Sequence, residues 1–205
     1  MGADSGHESV DLRWLARRAG LYLAAPGAMA LTVLIGMTFS STSNLPQGVT
    51  STITPHPHAI GQPISIEIPS LRAKAPVIPI SLTGDVLEPP ANVRTVGWWR
   101  GSAEPGSPTG QSLLTGHATH KGVGYSPLNH LKDIRRGATI LIRSRDRTAG
   151  YLVQDVFIWS KKTVAKHSRD LFDPDYHDSR LVLVTSARYD GRKWNANVIV
   201  FAYPN

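Results

Sequence analysis

Along the chain, apolar and polar positions follow three successive patterns. No Asp, Glu, Lys or Arg occurs between Arg18 and Glu67, and this uncharged region opens on LYLAAPGAMALTVLIGMTF, residues 21–39. About 20 apolar residues, rising 1.5 Å each, cross the hydrocarbon core of a bilayer, so 21–39 is expected to form one N-terminal transmembrane helix or signal segment. Pro26 and the glycines weaken a soluble helix but are tolerated inside a membrane. Arg13, Arg17 and Arg18 precede the run. Basic residues on that side only place residues 1–20 in the cytoplasm and the remainder outside, a single-pass protein of the plasma membrane with an extracellular C-terminal domain. A cleaved signal peptide is the rival reading, since Ser40 and Ser41 follow directly. Residues 40–61, SSTSNLPQGVTSTITPHPHAIG, are uncharged and rich in Ser, Thr, Pro and Gly, the composition of an extended linker. His56 and His58 flank Pro57 there and read as solvated linker residues rather than metal ligands.

From residue 62 to 205 the period changes to that of strands. ISIEIP alternates, with Ile64, Ile66 and Ile68 on one face. APVIPI carries two prolines and reads as an edge or irregular strand. TGD at 83–85 is a turn, and NVRTVGWW leads into a Gly/Pro/Ser loop at 101–110. QSLLTGH, ATILIRSR, AGYLVQDVFIW, RLVLVTS and NVIVFAY complete the strands. Within SPLNHLKDIRRG, residues 126–137, Leu128, Leu131 and Ile134 have helical spacing and Gly137 closes the segment, which predicts a short helix. About eight strands with little helix predict an all-β domain, a small closed or nearly closed barrel. The tryptophans of GWW are expected to fill the core or close one barrel end.

Composition narrows the classes. Of 205 residues, 41% are apolar, enough for a core and against wholesale disorder. The net charge of +7 is scattered in small clusters, Arg17-Arg18, Arg135-Arg136 and Lys161-Lys162. Such a surface suits an anionic membrane or cell wall. Without zinc-finger spacing or a basic stripe interleaved with aromatics, nucleic acid is not an expected partner. The chain has no cysteine, which removes disulfides, thiolate metal sites and a lipoprotein anchor.

Three residue types at strand ends can carry chemistry. His117 follows an apolar strand and Thr115-Gly116, where a loop begins; an imidazole there can move protons near neutral pH. Ser186 ends LVLVT, either as a nucleophile or as a strand-terminal serine bonding local backbone. Arg188 and Arg192 follow it and either can bring a guanidinium to the same strand end, although exposed arginines are commonly solvated surface. His117 with His120, and with His130 beyond them, makes a poor metal site because no carboxylate is nearby, so no metal and no cofactor is expected. An α/β serine hydrolase is disfavoured: G-x-S-x-G and βαβ alternation are both absent.

Taken in order, VGWWRGSAEPGSPTGQSLLTGH, LNHLKDIRRGATILI, LVLVTS and NVIVFA resemble the sortases, cell-wall transpeptidases of Gram-positive bacteria. The resemblance spans residues 63–203. GWW and NVIVFA look most like the class F group of actinobacteria, with class E second. The resemblance implies an eight-stranded sortase barrel behind the anchor and linker. It also implies a cysteine that attacks a peptide carbonyl in an LPXTG-type sorting signal, and an acyl-enzyme resolved by an amine from a cell-wall precursor or other acceptor. By the same likeness His117 is the family histidine, and Thr185 the threonine before the nucleophile. Counted back from NVIVFA, Arg192 takes the arginine's place, with Arg188 second. The segment 160–179 is expected to shape one wall of the peptide groove. The departure is Ser186, which stands where the family has cysteine. A thiol loses its proton near pH 8.5 and a hydroxyl far less readily, so transpeptidation is expected to fall severely. An introduced replacement, a natural homologue that binds peptide or cell-wall ligands without cleaving, and a working serine all fit this residue. An unrelated exported barrel that binds wall polymers is the remaining alternative.

Overall fold

A computed structural model of the chain describes residues 10–11, 58–84, 86–119 and 124–205. The proposed span at 21–39 and most of the linker lie outside them, as does His120. The described strands are β1 (Val10–Asp11), β2 (Ser65–Ile68), β3 (Ala73–Ile80), β4 (Val86–Leu87), β5 (Val96–Trp99), β6 (Gln111–Thr115), β7 (Thr139–Arg143), β8 (Thr148–Ser160), β9 (Arg180–Tyr189) and β10 (Trp194–Pro204). Eight of them close a barrel in the order β10-β8-β7-β2-β3-β5-β6-β9, and β1 pairs with β4 beside it. Two short helices, α1 (Lys161–Lys166) and α2 (Ser168–Phe172), join β8 to β9. The all-β, eight-stranded barrel expected from the strand pattern is therefore present. Among the described residues no helix is long and apolar enough to cross a membrane.

The apolar runs of β6, β9 and β10 are nearly continuous because both of their faces are covered. Leu114, Leu181, Leu183, Val198 and Val200 fill the barrel interior with Ile66, Ile140, Ile142 and Tyr151. Their sequence neighbours Leu113, Val182, Val184 and Ile199 point outward into a second cluster, capped by Val164, Leu171 and Phe172 of the helices. GWW divides by the same alternation, Trp98 inside and Trp99 outside. In β2, Ile66 and Ile68 are buried, whereas Ile64 precedes the strand and is exposed, which corrects the expected three-residue face.

Two further expectations are corrected. β3 is not an edge strand, since it lies between β2 and β5. It tolerates Pro76 and Pro79 because its partners are staggered: Ala73–Pro76 register with β2 and Val77–Ile80 with β5, the two overlapping only at Val77, whose N–H donates to the Ile64 carbonyl at 2.8 Å. Residues 126–137 do not form an α-helix. They run as turns with one 3-10 stretch, Leu131–Asp133. Leu128, Leu131 and Ile134 are nonetheless all buried, because a three-residue turn also brings every third side chain to one face.

Candidate active site

The site grows from the parallel pair β6–β9, registered as far as Thr115 opposite Val184. Beyond that point the Gly116 N–H donates to the Val184 carbonyl at 3.3 Å. The buried Thr185 hydroxyl donates to the Gly116 carbonyl at 2.9 Å. A Cβ on Gly116 would come within 3.0 Å of Leu128, so the chain passes closely packed there. His117 follows Gly116 past the end of β6, whereas Ser186 follows Thr185 inside β9, which runs on to Tyr189 and so corrects the expected strand-terminal serine. The two backbones run side by side, about 4.8 Å being the spacing of neighbouring strands.

His117 is half-buried, and its Nε2–H donates to the Pro90 carbonyl at 2.7 Å. A carbonyl can only accept, so in the neutral ring the proton sits on Nε2 and the lone pair on Nδ1. The His117 carbonyl accepts from the Ser126 hydroxyl, tying the loop start to the following turn. Ser186 is buried at 6% exposure and borders a cleft of about 340 Å³, whose rim includes Thr119, Asn129, Lys132, Arg188 and Trp194.

Of the two arginines, Arg188 lines this cleft, whereas Arg192 lies in the β9–β10 turn and does not. Arg188 has φ 59°, a left-handed conformation that departs from the regular course of β9 after Ala187. Asp190 then organises the turn. Its carboxylate accepts the backbone N–H groups of Arg192 and Lys193, each at 2.9 Å, and the Asn195 side-chain amide at 2.7 Å. These bonds, from Lys193 foremost, favour the carboxylate and lower its pKa to about 2.

The motif reading missed Asn197. It is the cross-strand partner of Ser186, it is buried, and its amide lies 3.5 Å from the Thr185 carbonyl. NVIVFA marked the strand but not its register, which depends on the length of the turn. Trp159 of β8 is in turn opposite Asn197, so Trp159, Asn197 and Ser186 form one row across three strands. Among the described residues no three His, Cys, Asp or Glu side chains gather as metal ligands.

The family model of the sortase domain matches residues 66–205, more than half of the chain. No curated protein matches. Solved structures share the fold at low identity. Sortase A from Corynebacterium diphtheriae aligns with a TM-score of 0.55 at 20% identity, over 70% of this chain and 61% of that one. Sortase C-1 from Actinomyces oris gives 0.53 at 18%, covering 71% and 76%. Sortase C1 from Streptococcus agalactiae gives 0.53 at 21%, covering 69% and 66%. The chain thus spans less than two thirds of the length of the Corynebacterium structure. With an eight-stranded barrel of this strand order and a family match over the whole of it, the chain belongs to the sortase family.

Proposed function

We propose that the chain is a sortase-like transpeptidase for LPXTG-type sorting signals, with Ser186 in the nucleophile's position, His117 as proton carrier and Arg188 as the cation facing the developing oxyanion. The observation that supports this reading is the Thr185–Gly116 bond, which ties together the residues that immediately precede Ser186 and His117. Arg188 is preferred to Arg192 because it lines the same cleft as Ser186. GWW and NVIVFA favour class F, and the 21–39 stretch favours a membrane-anchored protein acting outside the cell on exported proteins and an amine acceptor of the cell wall.

In the reaction, the Ser186 oxygen bonds to the peptide carbonyl carbon while its proton passes to the imidazole. Collapse of the oxyanion breaks the C–N bond, and the imidazolium proton leaves with the amine. An ester acyl-enzyme remains. The acceptor amine attacks it, gives its proton to the ring, and the serine oxygen departs and regains a proton. The thiol of the family's cysteine ionises far more readily than this hydroxyl, so the first step carries the higher barrier here, each 1.36 kcal/mol being about tenfold in rate. A second reading, peptide binding without turnover, is favoured by that same hydroxyl.

The test compares the Ser186 protein with Ser186→Cys on a panel of LPXTG-like peptides with an added amine. We expect both to bind a common peptide and Ser186→Cys to transpeptidate at least about a hundredfold faster, a barrier difference of about 2.7 kcal/mol. Binding by both with turnover only in Ser186→Cys would assign the Ser186 protein to the non-cleaving reading. Absence of binding and turnover in both would overturn the sorting-signal assignment.

A further inference from the structure

β8 outlasts its neighbour. β7 pairs with it only along Thr148–Leu152, and the last bonds on that side join Val153 to Gly137 and Ala138. From Asp155 to Ser160 the only described strand beside it is β10. The stretch reads VFIW, with no charge between Asp155 and Lys161. Phe157 is 38% exposed and Ile158 41%, one on each face of the strand end. Phe157 and Trp159 stack at 5.2 Å, and Phe201 supports both edge-on at 6.0 and 6.3 Å. Among the described residues no strand covers the other edge, and an apolar strand end left so is a site for a partner.

The chain continues at once into cations. Lys161, Lys162 and Lys166 of α1 and Arg169 of α2 are all exposed, since α1 buries only Val164. Among the described residues the acids nearest them along the chain are Asp155, Asp170 and Asp173, Asp170 being paired with His167 at 3.3 Å, and β1 with Asp11 packs against α1. A rigid aromatic tip bordered by lysines is the chemistry of an anionic bilayer surface, where rings enter the headgroup layer and ammonium groups meet phosphates. A second copy paired through the same edge is the competing occupant, and dependence on protein concentration rather than on lipid would reveal it. We propose that the end of β8 and the start of α1 form a membrane-seating surface for anionic lipid. The proposal does not depend on the transpeptidase reading. It does bear on it: Ser186 lies two strand spacings from Trp159, about 10 Å, so the seated barrel holds its cleft close to the bilayer plane.

The test uses the full chain in vesicles of phosphatidylcholine alone or mixed with phosphatidylglycerol, read by amide hydrogen exchange over residues 155–166. Any insertion of 21–39 is common to both lipids and leaves the comparison intact. We expect exchange at the β8 tip to slow about tenfold on the anionic vesicles relative to the neutral ones. That protection should be lost in about 1 M salt, where screening lengths fall to about 3 Å, and in the Lys161→Glu/Lys162→Glu/Lys166→Glu variant. Equal exchange on both lipids overturns the proposal. Protection that appears without lipid and grows with protein concentration also overturns it, in favour of a second copy.

Discussion

At the scale of single residues, His117 and Ser186 owe their proximity to the two bonds one residue upstream, at Gly116 and Thr185. His117 was legible as the residue past a strand end because an apolar run stops there; Ser186 only ends the apolar run, since its strand continues to Tyr189. Their adjacency was not, since β6 and β9 are parallel partners about seventy residues apart and neither run encodes the other. Which arginine borders the cleft was not legible for a local reason: counting back from NVIVFA gives Arg192 and ignores the turn that Asp190 builds and the left-handed Arg188, which lines the cleft with Ser186. Tyr151 offers a pH test at this scale. Its buried hydroxyl accepts the Gly106 N–H at 2.6 Å, and burial, the largest cause, raises its pKa from 10.0 to about 12. The folded value lies above the unfolded one, so the neutral phenol's contribution is fully present below pH 10 and is lost as pH rises through about 12. Chemical denaturation between pH 9 and 12 should show about 2–3 kcal/mol of stability lost, and Tyr151→Phe should remove most of that pH dependence. An unchanged slope in Tyr151→Phe would assign the alkaline loss to other groups.

At the scale of elements, strands were legible and their partners were not. The apolar alternation that splits Trp98 from Trp99 and Leu113 from Leu114 is local, whereas the staggered pairing that frees the prolines of β3 is a property of three strands together. The turns at 126–137 misled because a spacing of three serves a 3-10 turn as well as an α-helix. The α1–α2 segment over the outer sheet depends on Arg180. This buried side chain donates to the Gln111 side-chain carbonyl through Nε at 3.2 Å and through its terminal nitrogen at 2.6 Å, and to the Asp170 backbone carbonyl. It also lies over the rings of Tyr176 at 3.8 Å and Phe201 at 4.5 Å. Arg180→Ala should cost about 3 kcal/mol in urea denaturation, because the charged hydrogen bonds and the cation–π stacking disappear with the same guanidinium. Hydrogen exchange in residues 161–172 should rise before exchange in the barrel strands, and a uniform rise would refute the role as a local clamp.

At the scale of the whole molecule, β1 and the proposed anchor exclude each other. Val10 and Asp11 pair with Leu87 and Val86, alongside the barrel. A single span at 21–39 with its basic end inside puts residue 10 in the cytoplasm and residue 87 outside, so the pair cannot exist in that state. The anchored protein is therefore expected to have β1 released from β4. Because the chain contains no cysteine, single introduced thiols report the topology against no background. In intact cells a membrane-impermeant maleimide should label Lys193→Cys, on the exposed β9–β10 turn, and leave Val10→Cys unlabelled until the membrane is opened. Equal labelling of both in intact cells would keep the N-terminal segment on the barrel's side of the bilayer. The span at 21–39 would then need the opposite orientation or a different role, and the β1–β4 pair would belong to the working state.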